Sequence, residues 1–160
     1  MKLRNPFFID NFSDQPYFAM YLIAPFCKAV CNGCQNKNLL NKEIKDFEIK
    51  NLVDIYNDNI FYEGITIAGL EVFDSYIINE FLEFIKKAKI KKVTLYTRYE
   101  KESEEVKSFI EEIKKIKTVK ECYIKTGFYI ENAKSKTLYF EKIKWEITLA
   151  SENQNFERVV

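Results

Sequence analysis

A chain of 160 residues with 25 Lys and Arg against 24 Asp and Glu carries a formal charge of +1, which argues against a basic nucleic-acid surface as its main business. Hydrophobic residues make up 47% and charged residues 31%, which excludes a disordered tail and fits one domain with its own core. The absence of histidine excludes Ser-His-Asp and Cys-His nucleophiles, Cys2His2 zinc fingers and histidine general bases.

In chain order, residues 1–16 mix aromatics with Asn, Asp, Ser and Pro and read as an irregular lead-in. They show no signal peptide. Residues 17–24 (Tyr-Phe-Ala-Met-Tyr-Leu-Ile-Ala) form a continuous apolar run, the pattern of a strand buried on both faces. The apolar stretch from Phe18 to Phe26 is about half of the ~20 residues that a membrane span needs. A cysteine loop follows Pro25. Ile49, Leu52, Val53 and Tyr56 then fall at helical spacing within a helix expected over residues 42–57. Residues 64–69 read as a short strand bounded by glycines, 75–89 as a helix, and 93–97 as a strand. Residues 102–117 read as an amphipathic helix whose acids lead and whose lysines trail, in the sense that the helix dipole favours. Residues 121–125 read as a further strand, and residues 126–160 as a less regular C-terminal segment.

Strands alternating with helices of this length predict an α/β domain with a mostly parallel sheet. In such sheets ligands sit at the carboxyl ends of the strands. The loops to inspect are therefore 25–38, 68–74, 97–101 and 126–132.

Three of the four cysteines form Cys27-x3-Cys31-x2-Cys34, directly after the first expected core strand. Three thiolates this close can converge on one soft metal centre. A [4Fe–4S] cluster usually takes four cysteines, so three leave one iron with an open position. Two other readings stand beside this one: a zinc held with Cys122 as fourth ligand, and a redox-active disulfide. Cys122, 88 residues beyond Cys34 inside an expected strand, reads on its own as a small buried hydrophobe. Three cysteines within eight positions do not resemble a secreted disulfide framework, so a reducing, cytoplasmic setting is expected.

These residues resemble the radical S-adenosylmethionine superfamily, and within it the activating proteins of anaerobic (class III) ribonucleoside-triphosphate reductases. The resemblance rests first on the cysteine loop with its Cys31-Asn32-Gly33-Cys34-Gln35-Asn36 segment. It continues with Ala68-Gly69-Leu70-Glu71-Val72 in the place of Ser-Gly-Gly-Asp/Glu-Pro, and with Leu95-Tyr96-Thr97-Arg98-Tyr99 in the place of Leu-Tyr/Trp-Thr-Gly-Tyr. Thr126-Gly127-Phe128-Tyr129 and Ser151-Glu152-Asn153-Gln154 stand where the family has Asp-Gly-x-Tyr/Phe and Gly-Ser-x-Asn-Gln-Arg. The order and spacing agree over roughly residues 17–159.

The resemblance implies a compact partial (β/α) barrel of the radical-SAM type. Cys27, Cys31 and Cys34 would ligate a [4Fe–4S] cluster, with the amino and carboxylate groups of S-adenosyl-L-methionine on the open iron. Glu71 and the carbonyls of Gly69 and Leu70 would receive the methionine amino group. Gly33 and Gln35 would flank the cofactor through their backbone, and Thr97 would approach its ribose or carboxylate. Reductive cleavage of the cofactor would release a 5′-deoxyadenosyl radical, which takes hydrogen from a glycine Cα. The implied partners are the reductase large subunit as protein substrate and a flavodoxin- or ferredoxin-type electron donor, with no nucleic acid and no membrane.

The chain also departs from the pattern. Phe26 replaces the usual Gly before the first cysteine, Leu70 the second glycine of its segment, Val72 the proline, Arg98 a glycine and Thr126 an aspartate. A leucine at position 70 can still offer its backbone if φ is negative, whereas positive φ would cost roughly 1–2 kcal/mol. Besides this reading, a small radical enzyme acting on a peptide or metabolite, and a non-catalytic domain stabilised by zinc or a cluster, fit the same residues.

Overall fold

The computed structural model describes residues 1–11, 13–29 and 31–160, with residues 5–11 described as backbone only. Phe12 of the lead-in and Val30 of the cysteine motif lie outside the described residues.

The expected parallel strands are present: β2 (Phe18–Ile23), β4 (Gly64–Ala68), β5 (Lys92–Tyr96) and β6 (Glu121–Thr126) add side by side in chain order. β1 (Lys2–Asn11) and β3 (Ile44–Asp46) extend one edge antiparallel, and β9 (Asn155–Arg158) extends the other. The sheet order is β3-β1-β2-β4-β5-β6-β9.

Successive crossovers that always step the same way, each right-handed, leave all helices on one face. α1 (Ile49–Asp58), α2 (Ile78–Lys87) and α3 (Glu104–Lys115) share that face. Their buried Leu52, Phe81, Phe84, Ile85, Phe109 and Ile113 belong to one core with Met20, Leu22, Ile65, Ile67, Val93, Leu95 and Ile124. These are alternate residues of the four parallel strands, as a two-residue side-chain period requires.

The residues between them point to the other face, which none of the three α-helices covers. There a two-stranded hairpin, β7 (Lys136–Phe140) with β8 (Trp145–Leu149), covers part of the sheet. Trp145, Ile147 and Leu149 pack with Tyr17, Ala19, Tyr123 and Phe156. Phe156 stacks on Tyr123 at 5.6 Å and meets Trp145 at 5.3 Å between centroids. This face is also polar, and its polar groups are paired. Tyr17 OH donates to Ile65 O at 3.1 Å and lies 2.7 Å from Thr94 Oγ1, while buried Gln15 accepts from Thr66 Oγ1 at 2.7 Å.

Four expectations are corrected. Residues 2–11 of the lead-in are a strand, placed by backbone pairing with β2 and β3 rather than by an apolar run. Its register with β2 slips between Arg4 and Phe8. Residues 126–160 hold three strands rather than a less regular segment. The first helix begins at Ile49 and not at residue 42, since its apolar periodicity starts there and the preceding residues form β3. The second begins at Ile78, because residues 71–76 are spent on loop contacts and Tyr76 has φ of 57°. In the third helix, Ser103 caps the N-terminus by accepting from Val106 N. Glu104 and Glu105 open that helix and Lys114 and Lys115 close it.

Candidate functional site

The carboxyl ends of the four parallel strands open onto a cavity of about 730 Å³. All nine residues singled out from the sequence line it: Cys27, Cys31, Gly33, Cys34 and Gln35 from the loop after β2, Gly69, Leu70 and Glu71 after β4, and Thr97 after β5. Ile147 and Leu149 of the hairpin form part of the opposite wall. Four separated stretches of chain therefore meet where an α/β sheet presents its ligands.

Cys27, Cys31 and Cys34 are free thiols, each half-buried. Burial pushes the Cys27 thiol up from its ordinary value, and the charges of Asp74 and Glu71 push further in the same direction. A backbone hydrogen bond at Ala29 and the Arg98 cation work against them. Ionising such a thiol calls for a cation beside it, and a soft metal supplies one. Among the described residues, no three His, Cys, Asp or Glu side chains already stand grouped around a metal position. Three unpaired thiols on one cavity wall nevertheless fit a thiolate-ligated group by their chemistry. Cys122 does not join them. It is fully buried in the core on the helix side of the sheet, where desolvation pushes its thiol far up. That placement takes the fourth ligand away from the four-cysteine zinc reading.

Gly69 has φ of +83°, and a Cβ there would come within 2.8 Å of Leu39 Cδ1 and 3.0 Å of Ile23 Cγ2. Leu70 is not among the residues with positive φ, and its side chain is buried in the helix-side core. The departure at this position therefore carries no backbone strain, because only the first residue of the pair must be glycine. Val72 is likewise core. We expect Gly69→Ala to lower the unfolding free energy by about 1–2 kcal/mol from the left-handed backbone alone, read from urea titrations against the wild type.

Glu71 is nearly inaccessible, with 2% exposure. Its Oε1 accepts from Thr97 Oγ1 at 2.8 Å and Phe73 N at 3.2 Å, and its Oε2 accepts from Arg98 N at 2.7 Å. Burial raises its carboxyl above the ordinary range, and these three bonds partly restore it. The carboxylate thus fastens the β4 loop to the β5 loop, a task that the sequence did not disclose. Thr97 serves the same joint, since its Oγ1 also accepts from Tyr99 N at 3.1 Å.

Two functional candidates were missed. Asp74 is a second buried carboxylate, placed against Arg98 and the cysteine loop. Lys125 leaves β6 into the cavity and donates to Gly127 O at 2.8 Å. Desolvation lowers its ammonium to about 8, although Glu71, Glu100 and Cys31 pull it back up. Lys125 closes the expected strand 121–125, directly after Cys122-Tyr123-Ile124, where nothing in the alternation sets it apart. Nothing in the pattern marked Asp74 except a carboxylate three residues beyond Glu71.

Comparison with protein-family models, with curated proteins and with solved structures returns no match for this chain. No helix among the described residues is long and apolar enough to cross a membrane.

Proposed function

We propose that the chain is a radical S-adenosylmethionine activating enzyme, a compact partial (β/α) barrel that generates a glycyl radical on an anaerobic ribonucleoside-triphosphate reductase. One observation carries this reading. The three cysteines of the Cys-x3-Cys-x2-Cys loop share a single cavity with Gly69, Leu70, Glu71 and Thr97, the strand-end residues to which the resemblance gives a cofactor contact.

Cys27, Cys31 and Cys34 are the residues that would hold a [4Fe–4S] cluster. When bound, that cluster supplies the electron for reductive cleavage of S-adenosyl-L-methionine. The chain's own part is to bind, orient and keep water away. Gly69, Leu70 and Thr97 line the cavity beside the thiols, with Glu71 fixing the two loops that carry them. Gly33 keeps a left-handed turn with φ of +63° in the cysteine loop, and Gln35 lines the mouth. Ile147 and Leu149 give the far wall an apolar surface. The oxygen sensitivity of such a centre agrees with a reducing, cytoplasmic setting, and a reductase large subunit would bring its glycine to the open side of the cavity. A flavodoxin- or ferredoxin-type protein would deliver the electron.

The test is anaerobic reconstitution with iron and sulfide, followed by reduction in the presence of S-adenosylmethionine. The expected result is a cluster EPR signal that changes on adding the cofactor, with 5′-deoxyadenosine formed. Addition of the reductase should then yield a glycyl radical doublet. A colourless protein that retains zinc, or a cluster indifferent to the cofactor, would overturn the reading.

A further inference from the structure

We infer that Asp74 is a positioning residue that presets Cys27, holding the peptide on its C-terminal side to the scaffold before any metal group binds. The inference rests on the reading of Cys27 as a ligand and adds the device that places it. Asp74 Oδ2 accepts from Lys28 N at 2.7 Å. The same carboxylate accepts from Tyr99 OH at 3.1 Å and from Arg98 Nη2 at 3.3 and 3.4 Å. Its side chain is 1% exposed, so these donors are what make its burial tolerable. Asp74 therefore ties three strand-end loops to one point.

The neighbouring residues complete the hold on the other side of Cys27. Phe26 N donates to Ser75 Oγ at 3.1 Å, and Phe26 O accepts from Glu71 N at 2.9 Å. Ser75 Oγ in turn lies 2.7 Å from Glu71 O. Tyr76 closes the set, with its hydroxyl accepting from Lys28 Nζ at 2.6 Å and its ring 4.7 Å from the same ammonium. Residues 71–76 thus grip residues 26–28 through both peptide groups flanking the thiol. The backbone bonds around Cys31 and Cys34 differ in kind. Cys34 N donates to Cys31 O at 3.3 Å and Lys37 N to Cys34 O at 3.2 Å, both within the loop's own turns. Cys27 is the thiol anchored to the sheet, and the other two ride on a local turn.

Electrostatics alone would disfavour a carboxylate at this place, because its charge opposes ionisation of the thiol. Its contribution is geometric. A ligand already fixed in place loses less freedom when the group binds.

The test uses the metal-free full chain, so that its result is independent of cluster formation. Each cysteine is alkylated with iodoacetamide and quantified by peptide mass spectrometry, with hydrogen exchange of the Lys28 amide read in parallel. Asp74→Asn removes the charge but keeps an oxygen for Lys28 N. Asp74→Ala removes both, so the ratio of Ala to Asn isolates the clamp from the charge. Losing a hydrogen bond to a neutral acceptor corresponds to about fivefold. We therefore expect Cys27 alkylation and Lys28 exchange to be about fivefold faster in Asp74→Ala than in Asp74→Asn, with Cys31 and Cys34 changed equally little in both. Equal rates in the two variants, with circular dichroism unchanged, would overturn the inference. Should Asp74→Ala fail to fold, exchange of the Lys28 amide is compared between Asp74→Asn, with its weaker neutral acceptor, and the wild type. Faster exchange of that amide in Asp74→Asn, with the Cys34 and Lys37 amides unchanged, supports the clamp, and wild-type exchange refutes it. A chain that passes this test yet takes up no cluster would sink the proposed function and leave the clamp standing.

Discussion

Replacing Cys34 with serine is expected to reduce the iron taken up on anaerobic reconstitution from about four per chain to below one. Formation of 5′-deoxyadenosine should fall to background with it. Cys27→Ser and Cys31→Ser should behave alike, since a serine hydroxyl does not ionise to give a soft ligand and two thiolates hold such a cluster poorly. The control is Cys122→Ala. Its sulfur is buried in the helix-side core and does not line the cavity, so that variant should keep its iron and show a loss of stability instead. Truncating one buried sulfur costs on the order of 1 kcal/mol in transfer and cavity terms. Iron and sulfide analysis together with a thermal melt separates the two classes. Full iron in Cys34→Ser, or its loss in Cys122→Ala, would refute the assignment of the ligands.

The second large effect concerns Lys125, and its sign is opposite. Burial lowers this ammonium from 10.5 to about 8 in the folded chain. The folded value lies below the unfolded one, so between about pH 8 and 10.5 the unfolded chain holds more protons. Stability attributable to this group therefore rises with pH across that window and is at its lowest below it. Each unit of displacement corresponds to about 1.4 kcal/mol. Allowing for the part of the side chain that water still reaches, Lys125→Met should stabilise the chain by about 2 kcal/mol at pH 7. The gain should shrink as pH rises and vanish near 10.5. Urea titrations of both proteins at pH 7, 8.5 and 10 check this, because the other groups that titrate there cancel in the difference. A variant less stable than wild type at pH 7, or a difference independent of pH, would show that the cavity holds the ammonium favourably.

A stabilising substitution at a cavity wall has a plain meaning. The fold carries a charge there at a cost, as functional sites commonly do. Lys125 was invisible to a reading by periodicity, since a strand whose alternate residues face a polar cavity looks like any mixed segment. Glu71 was a residue of interest only through the family resemblance, and its three donors come from Phe73, Thr97 and Arg98, partly across 26 and 27 positions of chain. Contacts of that range leave no local trace. The parallel strands and three helices were legible because their apolar runs and 3.6-residue spacing are local facts. β1 was not, since it is placed by backbone pairing with β2 and β3, far from it in sequence. Position 70 shows the same division. The sequence posed the question of whether leucine could stand there, and only the backbone angle answered it.

The wall of the cavity opposite the thiols has a different character from the rest. Among the described residues, β7 and β8 pair only with each other, and touch the sheet through side chains rather than through a shared ladder. Their turn joins residues close in sequence, so the hairpin can lengthen, shorten or change its outer residues without shifting the register of a single strand in the main sheet. The chemistry-bearing loops all grow from that main sheet. The hairpin wall and the thiol loop are therefore free to diverge separately, the first by rewriting residues 136–149. Exchanging this hairpin for another would reshape one wall of the cavity while leaving the thiol loop untouched.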